Sequence, residues 1–294
     1  MIRRLALWLA AALTAAGANA DPAAWRATAP SGEELWLLGS MHYLRASDYP
    51  LPAPIESLID GADTIVMELD LDDIDPIAQQ RTLLGAALLP PGTVLADVLG
   101  AERHAALAER AAALGVDLAL LERFEPWLVA IMLLDQSMVR HGYRTEHGLE
   151  QYLLRHAQRA GKAIVGLESL ESQLALFATL PHEQQSALLE QTLDELEKPT
   201  SAIEELADAW RAGELGVLAA ELEAQFEDFP GLYDALVTER NTRWIPALER
   251  LAASPGRHLV VVGALHLVGR DSVIELLAAR GFEIERLPAA APLR

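Results

Sequence analysis

Apolar residues in this chain fall into two rhythms. Near both ends they form short unbroken runs stopped by glycine or an acid: 35–38 before Gly39, 65–67 before Glu68, 163–165 before Gly166, and 259–262 before Gly263. Runs of this length bounded by such residues predict buried strands. Residues 25–28 and 35–38 flank Pro30-Ser31-Gly32-Glu33, which predicts an antiparallel hairpin. Further strands are expected at 63–69, 163–167, 259–262 and 282–287, with helices at 52–60 (Ile55, Leu58 and Ile59 inward) and 271–280, the latter stopped by Gly281. From about 75 to 255, apart from the strand at 163–167, apolar residues recur at helical spacing. Helices are expected at 101–114, 125–140, 149–161, 170–177, 181–196, 202–212 and 232–253, with Thr200 to Glu204 as a helix start. The pattern predicts an α/β fold: a mixed, mainly parallel sheet with an antiparallel edge, built from both chain ends and opened by an N-terminal hairpin. A large helical lobe from the middle of the chain covers the sheet's carboxyl edge.

Two of the strand ends share one design. Leu35-Trp36-Leu37-Leu38-Gly39-Ser40-Met41-His42 and Leu259-Val260-Val261-Val262-Gly263-Ala264-Leu265-His266 each run apolar, then Gly-x-x-His. Spacing alone is weak, since about 0.5 such matches arise by chance from this composition. The preceding strands give it weight: each histidine falls just beyond a strand's carboxyl end, where ligands collect in open α/β sheets. If the strands are neighbours, His42 and His266 face one pocket; if not, each is a polar residue in a solvated turn.

Composition narrows the setting. Arg3 and Arg4, an apolar stretch at 5–16 and Ala18-Asn19-Ala20 read as a cleaved export signal over residues 1–20, leaving one domain from 21 to 294 in the periplasm or secreted. With no cysteine, disulfides and a lipid-bearing cysteine are excluded. A formal net charge of −20 opposes nucleic acid and anionic headgroups. After signal cleavage no stable membrane insertion is expected.

Glu68, near the end of an apolar strand, belongs at the same edge as the histidines. Buried acids are costly unless paired or metal-bound, so Glu68 either joins His42 and His266 around a divalent ion (Zn, Co or Mn) or only caps a turn or pairs with an arginine. Glu168 ends another strand and is either a ligand or general base, or a helix-first-turn acid. Gln173, one turn on, could face the pocket but reads as a surface amide. Read alone, Arg240, beside Asn241, is a solvated helical arginine; its alternative is a carboxylate clamp. The acidic run Asp70, Asp72, Asp73, Asp75 lacks the glycine and bidentate glutamate of an EF-hand and reads as a solvated turn. Signatures of zincins, serine hydrolases, P-loop enzymes and dinucleotide enzymes are missing.

These pieces together resemble the TraB/GumN family. The matching segments are LLGSMH at 37–42, VMELD at 66–70, GKAIVGLESLESQ at 161–173, ERN at 239–241 and VVGALHLVGRDSVIELLAARGFEIERL at 261–287. The family is similar in layout to erythromycin-esterase and ChaN-like proteins, and its animal TIKI members are regarded as metal-dependent proteases. The resemblance implies that His42, Glu68 and His266 are metal or catalytic residues, with Arg240 and Glu168 supporting. Gly148-Leu149-Glu150 departs from the Gly-x-Asp of many relatives, so Glu150 receives no role. The expectation is an exported metal-dependent hydrolase acting on a peptide or other small polar substrate. Alternatives are a non-catalytic binder of peptides or an accessory of polysaccharide export, and a metal-independent, histidine-based esterase.

Overall fold

The computed structural model describes residues 23–288 except 74, 198–200 and 228–229. The expected signal over 1–20 and the helix start at Thr200 lie outside the described residues. Strands β1 (Ala24–Thr28) and β2 (Glu34–Ser40) form the expected hairpin, with Trp25 opposite Leu37. Its turn closes through Ala29 N–H donating to the Glu33 carbonyl at 2.7 Å, and Gly32 takes φ +100°, open to glycine without strain. Helix α1 (Ala53–Gly61) buries Ile55, Leu58 and Ile59 and leads into β3 (Thr64–Leu69).

The helical region follows. It comprises α2 (Pro76–Ala87), α3 (Leu95–Leu99), α4 (Ala101–Ala113), α5 (Pro126–Arg140) and α6 (Leu149–Ala160) before strand β4 (Ala163–Glu168). After β4 come α7 (Leu170–Ala178), α8 (His182–Glu197), α9 (Ser201–Ala212) and α10 (Leu215–Gln225). The long helix expected at 232–253 is built in three pieces: α11 (Pro230–Tyr233), a π-helical turn over Asp234–Thr238, and α12 (Glu239–Ala252). Strand β5 (His258–Gly263), a 3-10 turn over Ala264–Leu267, α13 (Val273–Ala279) and β6 (Glu283–Arg286) are the last elements among the described residues.

The sheet order is β4-β3-β5-β2-β1-β6. Strands β4, β3, β5 and β2 run parallel, and the register sets Leu38 opposite Val261, Ser40 opposite Gly263, and Ile65 opposite Leu259. Residues 35–38, 65–67 and 259–262 are buried on both faces of the sheet, as their unbroken apolar runs require. The antiparallel strand β1 is one place in from the edge rather than at it. Strand β6 pairs with β1 outside it and covers N–H and C=O groups that an edge would leave open.

The helices pack into two main cores and a smaller third around Ala87, Trp127 and Leu128. Side chains of α1, α6, α12 and α13 pack with the sheet, including Leu58, Leu153, Leu248 and Leu277. Helices α3, α4, α5 and α8 close on one another through Leu95, Leu107, Val129, Leu133, Leu189 and Leu193.

Candidate active site

The two Gly-x-x-His strands are neighbours, so both histidines lie beyond one end of the sheet. There the structure builds two adjoining groups of side chains, one buried and one open.

The buried group centres on Arg240, 7 % exposed, near the start of α12. Its Nη2 donates to Glu68 Oε2 at 2.6 Å and to Glu168 Oε1, and its Nε donates to Glu168 Oε1 at 3.0 Å. Its Nη1 donates to the Leu236 carbonyl at 3.2 Å and to His266 Nε2 at 3.0 Å. A guanidinium has five N–H donors, and each has a partner within the protein. Glu68, at the end of β3, also accepts from Gly263 N–H at 2.8 Å, and Gln173 donates to both carboxylates, at 3.2 Å to Glu68 and 2.8 Å to Glu168. Gln173 thus joins the site instead of lying on the surface. Of the two readings of Glu68, the arginine pair is present. Of the two readings of Arg240, the solvated one does not hold: the side chain is buried and clamps carboxylates of the protein itself, Glu168 through Nε and Nη2 and Glu68 through Nη2.

These contacts fix the state of His266. A guanidinium only donates, so Nε2 must accept from Arg240, and Nδ1–H donates to Asn241 Oδ1 at 2.7 Å. Asn241, fully buried, is held by donating to the Asp271 carbonyl at 2.8 Å. The ring lies against Trp244 with centroids 4.7 Å apart. Burial pushes the imidazole down to about 4, with Arg240 adding to the effect and Glu68 opposing it. His266 is therefore neutral at pH 7. Burial alone would raise Glu68, but His266, Arg240, His42 and the Gly263 N–H together hold it at about 2. With His266 neutral at pH 7, Arg240, His42 and the N–H supply that pull.

The open group is His42, Glu150 and Ser40. His42 Nδ1 lies 3.0 Å from Glu150 Oε1, with 62 % of the imidazole side chain accessible against 18 % of the acid. Ser40 Oγ donates to the same carboxylate oxygen. Glu150 pushes His42 up to about 9 against the desolvation of its recess; water at the open face screens that attraction. His42 in turn holds Glu150 below the usual carboxylate range against the opposing effect of burial. Glu150 reaches this position because α6 starts directly on the His42 loop. Leu149 N–H donates to the Met41 carbonyl at 3.1 Å, and a Cβ on Gly148 would stand 2.3 Å from the His42 carbonyl oxygen. Sequence reasoning gave Glu150 no role; its one signal was an acid two residues after a glycine at a helix start.

Glu68 Oε2 and His266 Nε2 both accept from Arg240, and His42 Nδ1 is engaged with Glu150. Among the described residues no group of three His, Cys, Asp or Glu side chains is arranged to hold a metal ion. As placed, His42, Glu68 and His266 do not fit a divalent ion, because a guanidinium holds the position between two of them. Asp70 accepts from Asp72 N–H at 3.1 Å and Asp75 caps α2 through Ile77 N–H at 2.9 Å, as a solvated turn requires. A cavity of about 280 Å³ lies beside Glu168, lined by Asp70, Asp73, Asp75 and Glu171 among others. The larger cavity, about 600 Å³, lies on α4 and α8, away from this chemistry.

Comparison with known proteins adds three relatives. The chain is 28 % identical over 251 residues to "Uncharacterized protein YbaP" of Escherichia coli (strain K12), covering 85 % of this chain and 90 % of that one. It is 26 % identical over 271 residues to an uncharacterized protein of Treponema pallidum (strain Nichols), covering 87 % and 80 %. It is 26 % identical over 313 residues to "Metalloprotease TIKI1" of Danio rerio, covering 88 % of this chain and 62 % of that one. No solved structure matches. The model of the TraB/PrgY/gumN family matches residues 23–286, nearly the whole described chain, and the protein belongs to that family.

Proposed function

We propose that this chain is an exported hydrolase, peptidase- or amidase-like, whose proton transfers run through His42. The observation that carries this reading is an accessible imidazole whose Nδ1 is fixed by a partly buried carboxylate. With Nδ1–H donating to Glu150, Nε2 faces the open side, free to take a proton from an attacking water and pass it to a leaving amine. Ser40 keeps Glu150 in place by donating to the oxygen that meets His42. The buried cluster sums to one negative charge: two carboxylates, one guanidinium and a neutral imidazole. That charge favours the imidazolium formed on His42, in keeping with the upward pull of Glu68. At neutral pH the resting ring already carries a proton, so turnover should rise with pH toward His42's ionisation.

The substrate class is a peptide or another small polar amide, and the name of the Danio rerio relative supports it. That name also favours a metal-dependent version. Elemental analysis of the purified chain and its sensitivity to a chelator separate the two. Fluorogenic peptide and aryl ester libraries test the main reading. General acid–base catalysis is worth about 10²–10⁴-fold, so His42→Ala should lose at least about 100-fold in kcat/KM. Peptide capture by both proteins without turnover would make the chain a binding protein instead. Export is checked by fractionating cells that express the full chain.

A further inference from the structure

The arrangement around Arg240 carries a consequence independent of whether the chain is a hydrolase. Two carboxylates from two strand ends and one imidazole nitrogen converge on a single cation. Side-chain exposure is 14 % for Glu68, 8 % for Glu168 and 9 % for His266. Oxygen and imidazole donors converging in this way are what zinc or manganese takes in other proteins. Here the cation is covalently part of the chain. It is held by all five of its N–H donors and by Trp244, whose ring centre lies 4.9 Å from the guanidinium carbon. A divalent ion placed on the same lone pairs would stand next to a fixed positive charge in a largely buried site. The two cations exclude each other.

We propose that Arg240 is the resident cation of this site, a tethered guanidinium that a divalent ion must displace before Glu68 and His266 can bind it. Affinity for such an ion in the native chain is reduced by the cost of moving Arg240 off both carboxylates. Removing the guanidinium uncovers a metal site that the native protein keeps closed.

The test is titration of the full chain with ZnCl2 and, separately, MnCl2, read by calorimetry and by thermal shift. In Arg240→Met one equivalent should bind at least ten-fold tighter than in the native chain. Its melting point should climb with ion concentration, while the native protein's stays flat over the same range. Adding His266→Gln to that variant should abolish the gain, which separates this site from the acidic surface. Arg240→Met leaves two carboxylates without their cation and can fail to fold. The double variant Arg240→Met/Glu168→Gln keeps the cluster's net charge and should show the same gain. Equal affinity in the native chain and the variants would overturn the proposal. So would a foldable variant that gains nothing, or a gain that survives His266→Gln. Turnover is not read, so this outcome and that of the hydrolase reading are separate.

Discussion

Mild acid should weaken this protein through one buried imidazole before its site carboxylates respond. His266 is 7 % exposed, and both ring nitrogens are committed: Nδ1–H donates to Asn241, and Nε2 accepts from Arg240 at 3.0 Å. A proton on Nε2 would point one N–H at another. The ring is held down at about 4 from an ordinary 6.5, which at 1.36 kcal/mol per pH unit is about 3 kcal/mol. The unfolded chain takes up this proton as pH falls through 6.5, while the folded chain waits until about 4. Folding stability therefore rises with pH between those values, and the His266 contribution is gone below the lower one. Glu68 moves from 4.5 to about 2, so its contribution is complete above 4.5 and lost only as pH falls further. The interval from 4.5 to 6.5 thus isolates the histidine from that carboxylate. Against a typical total of about 5–15 kcal/mol, such a loss is large. Urea unfolding followed by tryptophan fluorescence at half-unit pH steps measures it. His266→Gln should be less stable than the native chain at pH 7 but show a flatter slope across that interval. An unchanged slope in the variant would refute the reasoning, as would an NMR titration placing His266 near 6.5.

Other changes test the remaining geometry. His42 is raised, so its contribution is complete below 6.5 and declines as pH climbs through about 9; Glu150→Gln should return its NMR titration toward the ordinary imidazole range, and an unmoved titration would break the pairing. Gly148→Ala places a Cβ 2.3 Å from the His42 carbonyl oxygen; overpacking of this kind costs about 1–3 kcal/mol, and the His42 resonance should shift with it. Trp127→Ala, at a fully buried position in α5 outside the sheet core, should cost about 3–5 kcal/mol while leaving the His42 titration unchanged.

Much of this molecule is legible in its apolar runs. Residues buried on both faces of a parallel sheet need no polar alternation, so 35–38, 65–67 and 259–262 declared themselves as strands, and glycine marked where two of them stop. The placement of Glu68, Glu168, His42 and His266 at one edge follows from those strand ends. What sequence could not convey was partnership. Arg240 reads as one more helical arginine because nothing local shows that two carboxylates and an imidazole will converge on it. It stands two residues after a π-helical turn that no periodicity reveals. Glu150 escaped for the opposite reason: its pairing with His42 comes from α6 docking on a loop more than a hundred residues earlier. The separate packing of α3, α4, α5 and α8 was hidden too, since helical spacing shows which face is apolar but not which neighbour covers it.

The position of β5 has a consequence for how the chain reaches its native state. This strand follows β1 to β4 and the whole helical region in the chain, yet it belongs in the middle of the sheet, wedged between β2 and β3. Neither β2 nor β3 has its β5 partner until this strand is in place. Such long-range pairing is slow to form. A chain ending at Arg257 would not be trimmed at its margin; its sheet would be split down the centre.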